Sequence, residues 1–160
     1  MAADPFIAFI DPDSMEFAQP CDMPTHIQIA CDRTGQRMPQ TKGEIARVAY
    51  ESLAMRYRSV FQTLEKLHGS RLEQLHIVGG GCQNKVLNQF TADALNRPVL
   101  AGPIEATAIG NMLIQMIADG QMSGLEEGRT MISKSFGTKL VHPENTAAWD
   151  EAFERFCATH

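Results

Sequence analysis

The sequence predicts an α/β fold in which helices pack on a mixed or mostly parallel sheet. Segments with helical and strand-like patterns alternate in the order helix, strand, glycine turn, helix, strand, helix, which is typical of α/β domains. The glycine turn is the stretch HIVGGGCQN at residues 76–84, where a short apolar run ends in three consecutive glycines. A helical pattern follows it directly, and RPVLAG then supplies a second short apolar run.

The length and composition suit one globular domain. The chain has 160 residues, of which 44% are hydrophobic and 21% charged, so a sizeable core can form. The formal charge of −5 and the lack of a basic stretch argue against a nucleic-acid partner. No apolar run reaches the length of a membrane span, and residues 1–13 lack the pattern of a signal peptide. We therefore expect a soluble, cytoplasmic protein that does not bind membranes.

The cysteines agree with a reducing compartment. None of the four lies in a C-x-x-C pair, and their spacing does not suit zinc. Free thiols are therefore expected at Cys21, Cys31, Cys82 and Cys157.

The first elements follow from proline and capping signals. Residues 5–24 contain four of the eight prolines, which favours an extended or loop-like segment with a short strand at Phe6–Ile10. A short helix follows, with Asp22 as its cap, Pro24 in its first turn and Gly35 at its end. The segment PFIAFIDP begins without a helix cap or a clear first element, which indicates a cut made inside a larger protein.

A long helix follows, and it has the clearest signals in the chain. Thr41 and Glu44 have the spacing of a capping box, and Gly69 is a natural C-terminal stop. Apolar residues recur at steps of three or four and predict a single face that belongs to the core or docks against a missing domain. This face consists of Ile45, Ala49, Leu53, Tyr57, Val60, Leu64 and Leu67.

The remaining elements complete the α/β pattern. QLHIV predicts a buried strand, and the small residues of EATAIGNMLIQMIADG predict a closely packed helix. The terminal helix carries Trp149, Phe153 and Phe156 for the core. The rest of the chain is predicted to form three helices and two strands. The helices are QNKVLNQFTADAL, SGLEEGRTMIS and NTAAWDEAFERFCATH, and the strands are RPVLAG and SFGTKLVHP.

The three glycines allow three interpretations. The first is structural, since a tight turn between strand and helix uses one or two glycines for positive φ values. The second is a dinucleotide site with the pattern G-x-G-x-x-G. Gly79 and Gly81 occupy its first two positions, but Asn84 stands at the third. The acidic residue expected further along could only be Glu105, which lies beyond the second strand.

The third interpretation is a mononucleotide site. Glycines after a strand let the backbone approach a phosphate or ribose, and the free N–H groups of the next helix favour an anion. Asn84 and Asn88 lie one turn apart on that helix and can reach a base or ribose. The glycines are not followed by G-K-[ST], so this is not a P-loop.

The ordered set of motifs resembles the C-terminal domain of the FGGY carbohydrate kinases. The carrying segments are LHIVGGGCQNKVLNQFTADAL and RPVLAGPIEATAIGNMLIQMIADG. ARVAYESLAMRYRSVFQTLEKL, the segment FIDPDSMEFAQPCDMPTHIQIACDRTGQRMP before it, and WDEAFERF near the end match the same family in the same order. Within the family, DPDSMEF and ESLAMRYR favour kinases of L-rhamnulose over those of xylulose or glycerol.

The resemblance implies an actin-like ATPase (ribonuclease H-like) fold, with two α/β domains around a deep cleft. Residues 1–160 would form a single domain, the C-terminal nucleotide-binding half, and the N-terminal sugar-binding domain would be absent. The parent reaction would convert ATP and L-rhamnulose into L-rhamnulose 1-phosphate and ADP. Two alternatives stay open: another kinase of the family, acting on fuculose or xylulose, and a non-catalytic module that binds a nucleotide or a partner.

The resemblance also implies where ATP and Mg²⁺ bind. The glycines would lie against the phosphates and ribose, Asn84 near the adenine, and Asn88 with Gln89 would support that edge. The helix that begins in EATAIGN, at residues 105–111, would pack beside the same cleft, and Mg²⁺ would sit on the phosphates. The expected nucleotide-binding residues are Gly79, Gly80, Gly81, Asn84 and Asn88.

No catalytic residue is expected in this chain. In the family, the sugar pocket and the catalytic Asp precede this domain. Asp93 lies mid-helix and is interpreted as structural or solvated, while Asp11 and Asp13 lie in a Pro-rich turn that favours local hydrogen bonds. His76 is interpreted as a satisfied strand residue, and Cys82 lacks a nearby His that could activate its thiol.

Overall fold

The computed structural model describes residues 3–18 and 22–159, and Cys21 lies outside these ranges. Short 3₁₀ turns occur at Met15–Phe17 and Gly80–Gln83. The helices are α1 (Met23–Arg33), α2 (Lys42–His68), α3 (Lys85–Leu95), α4 (Ala106–Ala118), α5 (Leu125–Ser135) and α6 (Ala147–Thr159). The strands are β1 (Leu75–Ile77), β2 (Val99–Ala101) and β3 (Lys139–Val141). None of the helices in this described part has both the length and the apolar character needed to cross a membrane.

The three strands form one mixed sheet in the order β1-β2-β3. β1 and β2 are parallel, with Leu75 opposite Val99, and α3 connects them. β3 is antiparallel to β2, with Leu140 opposite Leu100. The prediction of an α/β fold with a mixed sheet and packed helices is therefore confirmed. Within residues 3–18 and 22–159, β1 and β3 form the two edges of the sheet.

The strand expected at Phe6–Ile10 does not form. Side chains satisfy the backbone of this segment instead of a neighbouring strand. The Phe6 N–H donates to the Glu51 carboxylate at 2.9 Å, and Gln36 both accepts the Phe9 N–H at 2.8 Å and donates to the Phe9 carbonyl at 2.7 Å. Because its polar groups are paired in this way, the segment can be buried without belonging to the sheet.

The ends of α2 match their sequence signals. Thr41 Oγ1 accepts the Glu44 N–H at 3.2 Å, and the Glu44 carboxylate accepts the Thr41 N–H at 3.0 Å. These reciprocal bonds complete the predicted capping box. Gly69 adopts φ 75°, the left-handed conformation that ends a helix and that glycine adopts without steric penalty.

The face of α2 that enters the core differs from the predicted one. Ile45 and Ala49 are partly buried against α1, but Tyr57, Val60 and Leu64 are exposed to solvent. α2 carries apolar residues on more than one face, and periodicity alone does not say which face meets a neighbour. The residues of α2 that are buried are Glu44, Val48, Glu51, Ser52, Ala54, Met55 and Phe61.

One buried cluster joins α2, α3, α6 and the extended N-terminal segment. Phe9 lies at its centre and contacts Phe156 edge-on, with ring centroids 5.9 Å apart. Trp149 of α6 is 3% exposed and contacts Phe90 of α3. The predicted core role of Trp149 and Phe156 is confirmed, while Phe153 is partly buried at the border of the cluster.

The close packing predicted for α4 is found at Leu113 and not at its small residues. Ile109 and Leu113 are the buried residues of α4, and a Cβ atom added at Gly110 would meet nothing within 4 Å. The tight contact lies instead on α5, where a Cβ at Gly128 would come within 3.1 Å of Leu113 and 3.2 Å of Met122. Gly110 of α4 therefore has open space at its Cβ position, and α4 meets α5 closely at Leu113.

Candidate functional site

The loop between β1 and α3 begins with a glycine that the backbone requires. Gly79 has φ 77° and ψ −165°, a region of conformational space that residues with a Cβ rarely enter. Its N–H donates to the carbonyl of Pro103 at 3.0 Å, which ties the loop to the segment after β2. The structural interpretation therefore accounts for Gly79.

Gly80 and Gly81 have no such requirement. They open the 3₁₀ turn, neither has a positive φ value, and a Cβ added at either position would meet nothing within 4 Å. Neither backbone strain nor packing within the described chain calls for glycine there. What the two glycines provide is a stretch of bare backbone at the carboxyl end of β1, facing open space.

Asn84 caps α3. Its side-chain oxygen accepts the Leu87 N–H at 3.1 Å, which satisfies one of the unpaired donors at the start of the helix. The cap engages the oxygen and leaves the two amide N–H donors of Asn84 for other partners. The side chain is thus held at the helix N-terminus, directly after the glycines.

Asn88 lies beneath the loop. It is 3% exposed, and its Nδ2 donates to the carbonyl of Cys82 at 2.8 Å, so it holds the 3₁₀ turn against α3. Its Oδ1 is buried and has no hydrogen-bond partner among the described residues. Asn88 therefore holds the 3₁₀ turn against α3, and its buried side chain does not reach outward as freely as its sequence position suggests.

A cavity of about 640 Å³ lies beside the loop, at the carboxyl end of β2. The loop and α3 line one side of it with Cys82, Lys85 and Asn88, and the segment around β3 lines the other with Lys139 and His142. Of the five predicted site residues, Asn88 alone lines this cavity. Lys85 and Lys139 were not predicted to line this cavity, although Lys85 directly follows the Asn84 cap and is visible in the sequence as a cation at a helix N-terminus.

Asp93 is a structural residue, as predicted. Its side chain is buried, and its Oδ1 accepts the Gln89 Nε2 at 3.0 Å and the Glu144 N–H at 2.8 Å. Gln89 also donates to the carbonyl of His142 at 2.9 Å. These bonds fix the chain after β3 against α3 and so shape the wall of the cavity.

Three other titratable residues considered in the sequence, Asp11, Asp13 and His76, also have partners. Asp11 accepts the Asp13 N–H at 3.1 Å, Asp13 pairs with Arg56 at 2.5 Å, and the His76 ring bonds to the Gly102 carbonyl. Within residues 3–18 and 22–159, no three His, Cys, Asp or Glu side chains gather into a group that could hold a metal ion.

Most of the chain matches the sequence profile of a known protein family. The sequence profile of the "FGGY family of carbohydrate kinases, C-terminal domain" matches residues 1–118. This chain belongs to that family, and the predicted resemblance is confirmed.

Curated relatives and a solved structure agree with this assignment. The chain is 46% identical to the rhamnulokinase of Bacteroides thetaiotaomicron, covering 97% of this chain and 32% of the relative. It is 41% identical to the rhamnulokinase of Enterobacter sp. (strain 638), covering 85% of this chain and 28% of the relative. The chain thus spans about a third of the length of these relatives.

A crystal structure of xylulose kinase from Rhodospirillum rubrum shares the fold. The TM-score is 0.59 at 24% identity, covering 78% of this chain and 25% of that one. The actin-like ATPase fold expected from the sequence is therefore confirmed.

Proposed function

We propose that this chain is the C-terminal, nucleotide-binding half of a cytoplasmic sugar kinase that converts ATP and L-rhamnulose into L-rhamnulose 1-phosphate and ADP. Two relatives that are 41% and 46% identical carry the name rhamnulokinase, which favours L-rhamnulose over xylulose or fuculose as the sugar. In this proposal the sugar-binding domain and the catalytic carboxylate belong to the remainder of the protein, and relatives about three times longer than this chain support that division.

The open backbone at Gly80 and Gly81 carries the nucleotide part of the proposal. The residues that the structure describes give no reason for glycine at these positions, whereas a ligand that lies against the backbone does. The N-terminus of α3 follows directly, and its unpaired N–H groups and positive dipole end favour phosphate oxygens. In this arrangement Gly79, Gly80 and Gly81 lie against the phosphates and ribose.

The asparagines would serve the nucleotide in different ways. The Asn84 amide N–H donors, left over from the α3 cap, are available to the adenine. Asn88 would act from below, since its bond to the Cys82 carbonyl holds the turn that the nucleotide touches. Lys85 and Lys139 beside the loop add positive charge, which favours an anionic ligand.

Mg²⁺ would bind through the phosphates of the nucleotide. The described residues of this chain form no cluster of three side chains suited to a metal ion. Mg²⁺ prefers phosphate oxygens, water and one or two carboxylates, and the carboxylates would come from the remainder of the kinase. The ion would neutralise charge on the phosphates during transfer.

Calorimetry with ATP and with ADP tests the site. Gly81→Val places a branched side chain where the proposal puts the phosphates, and nucleotide affinity should fall by about tenfold or more, equivalent to about 1.4 kcal/mol. Gly124→Val is the matched control, because Gly124 also has open space at its Cβ and lies outside the loop. Equal affinity in wild type and Gly81→Val, with both folded, would show that the nucleotide binds elsewhere.

A coupled assay of ADP release with L-rhamnulose tests whether phosphoryl transfer needs the remainder of the protein. The isolated chain should show no sugar-dependent turnover, because it holds one substrate and supplies one wall of the cleft. Alignment of both reactants contributes about 7–11 kcal/mol to lowering such barriers, and one half cannot provide it. Turnover that rises with L-rhamnulose would mean that a carboxylate of this chain, at Asp11, Asp13 or Asp93, acts as the base.

A further inference from the structure

Cys82 lies where the glycine loop meets the cavity beside it. It belongs to the 3₁₀ turn Gly80–Gln83, it is partly exposed, and it lines the cavity of about 640 Å³ between α3 and β3. This volume lies in the range of about 300–1,000 Å³ that is typical of sites for small molecules. The thiol therefore borders a space that a small molecule can enter.

The cavity wall contains a buried acceptor without a partner. Asn88 lines the cavity and is 3% exposed, and its Nδ2 donates to the Cys82 carbonyl. Its Oδ1 has no hydrogen-bond partner among the described residues. Because an unpaired buried acceptor is costly, a ligand that donates an N–H to Asn88 Oδ1 would be favoured here.

The charged side chains around the cavity suit a ligand that carries both signs of charge. Lys85 and Lys139 line opposite sides, and neither forms an ion pair with a described residue. Glu144 is the acidic side chain among the described residues of the lining. Carboxylates of a ligand would be attracted to the lysines, and an ammonium group to Glu144. The lining therefore suits a zwitterionic peptide better than a simple anion.

We propose that this cavity is a modification site, in which Cys82 forms a mixed disulfide with a small peptide disulfide of the glutathione type. Such a molecule carries amide N–H donors for Asn88, carboxylates for the two lysines and ammonium groups for Glu144. The Cys82 sulfur attacks one sulfur of the incoming disulfide, whose S–S bond breaks as the new one forms. One half stays on Cys82, and the other leaves as a thiolate that takes up the proton of the Cys82 thiol. The incoming disulfide is the oxidant, so the exchange needs no further reagent.

The other described cysteines lack this setting. Cys31 is fully buried, and burial raises the pKa of its thiol to about 11, so it is shielded from a reagent in solution. Cys157 is exposed on α6 and does not belong to the lining of the cavity. If exposure alone governed the reaction, Cys157 would react faster than Cys82. Recognition by the cavity reverses this order.

Glutathione disulfide is the probe, and peptide mass spectrometry measures the rate of mixed-disulfide formation at each cysteine. The protein carries Cys21→Ser, since Cys21 lies outside the described residues. Cys82 should react about tenfold faster than Cys157, because the charged cavity concentrates the probe. With hydroxyethyl disulfide, which has neither charge nor amide groups, Cys157 should react at least as fast as Cys82. Equal rates at the two cysteines with glutathione disulfide, or the same preference for Cys82 with both probes, would overturn the proposal.

Charge variants supply a second readout. Lys85→Gln combined with Lys139→Gln should remove most of the preference for Cys82 with glutathione disulfide and leave its rate with hydroxyethyl disulfide unchanged. Lys134→Gln is the matched control and should change neither rate, because Lys134 is an exposed lysine of α5 outside the lining. A double variant that reacts with glutathione disulfide as the parent chain does would contradict the proposed recognition.

The modification should also weaken nucleotide binding, a consequence that rests on the proposed function. Cys82 lies in the same turn as Gly80 and Gly81, so a peptide attached to it would cover or displace that turn. Calorimetry should show that treatment lowers ADP affinity by about tenfold, that dithiothreitol restores it, and that treated Cys82→Ser keeps it. Unchanged ADP affinity in the fully modified chain would contradict this coupling. An untreated chain that binds no ADP would overturn the proposed function alone, because the rates at Cys82 decide on the modification site without a nucleotide.

Discussion

The two halves of α2 both carry apolar residues, but these residues have different surroundings. In residues 42–55, Val48, Ala54 and Met55 are fully buried, and Glu51 is buried with them. In residues 56–68, Phe61 is buried, while Val60 and Leu64 are half exposed. The first half packs against the N-terminal segment and α1, whereas the outer face of the second half borders an open groove. An apolar stripe on a helix therefore does not by itself say whether that face is buried within the described part of the chain.

The largest effect should come from the buried ion pair of the first half. Glu51 is fully buried, and its carboxylate accepts from Arg47 Nε at 2.6 Å as well as from the Phe6 N–H. Glu51→Ala leaves the Arg47 guanidinium nearly buried without its partner, which should lower the free energy of unfolding at neutral pH by about 3–5 kcal/mol. Denaturant titration measures the change.

Glu65→Ala in the second half is the matched control for that prediction. Glu65 also pairs with an arginine, Arg97, at 3.4 Å, and it accepts the Leu72 N–H at 2.9 Å. It is partly exposed, so its loss should cost only about 1 kcal/mol. Equal losses for the two variants would contradict the contrast between the halves.

Core packing should show the same contrast. Met55 is fully buried in the cluster with Phe9 and Phe156, so Met55→Ala should lower the free energy of unfolding by about 2–5 kcal/mol through lost contacts and a cavity. Leu64→Ala changes a half-exposed side chain and should cost about 0.5 kcal/mol or less in the isolated chain. Urea midpoints of the two variants measure both losses of stability. A large loss for Leu64→Ala would support the core face predicted from the sequence.

The sequence predicts the parts of this fold that depend on local chemistry. The Thr41–Glu44 capping box, the Gly69 stop and the order of helices and strands after residue 22 each follow from neighbouring residues, and the structure contains all of them. The failures concern long-range partners. The Phe6–Ile10 segment pairs with side chains 27 to 45 positions away, which no local pattern contains.

The candidate site likewise has features that depend on neighbouring residues and features that depend on tertiary packing. Three successive glycines before a helix indicate a ligand-binding loop from the sequence alone, and the Asn84 cap is a local feature. Lys139 reaches the cavity because β3 pairs with β2, and Asn88 turns beneath the loop because α3 packs on the sheet. Those positions depend on tertiary packing and could not be read from spacing.

The smallest effect is a difference in pH dependence between two carboxylates of the first half of α2. Backbone hydrogen bonds from Gln40 and Thr41 lower the pKa of Glu44, while burial raises the pKa of Glu51 by more than its bonds to Arg47 and Phe6 lower it. The contribution of Glu44 to the free energy of unfolding should therefore rise with pH, whereas that of Glu51 should fall.

Glu44 contributes stability that is present above the ordinary glutamate pKa of 4.5 and is lost as pH falls through its lowered pKa. The contribution linked to protonated Glu51 is fully present below 4.5 and is lost as pH rises through the raised pKa. Glu44→Gln should thus weaken the loss of stability in acid, and Glu51→Gln should remove a decline above pH 4.5. Unfolding midpoints measured in pH steps at constant ionic strength test both. Identical pH profiles for Glu51→Gln and wild type would show that Arg47 offsets the burial of this carboxylate completely.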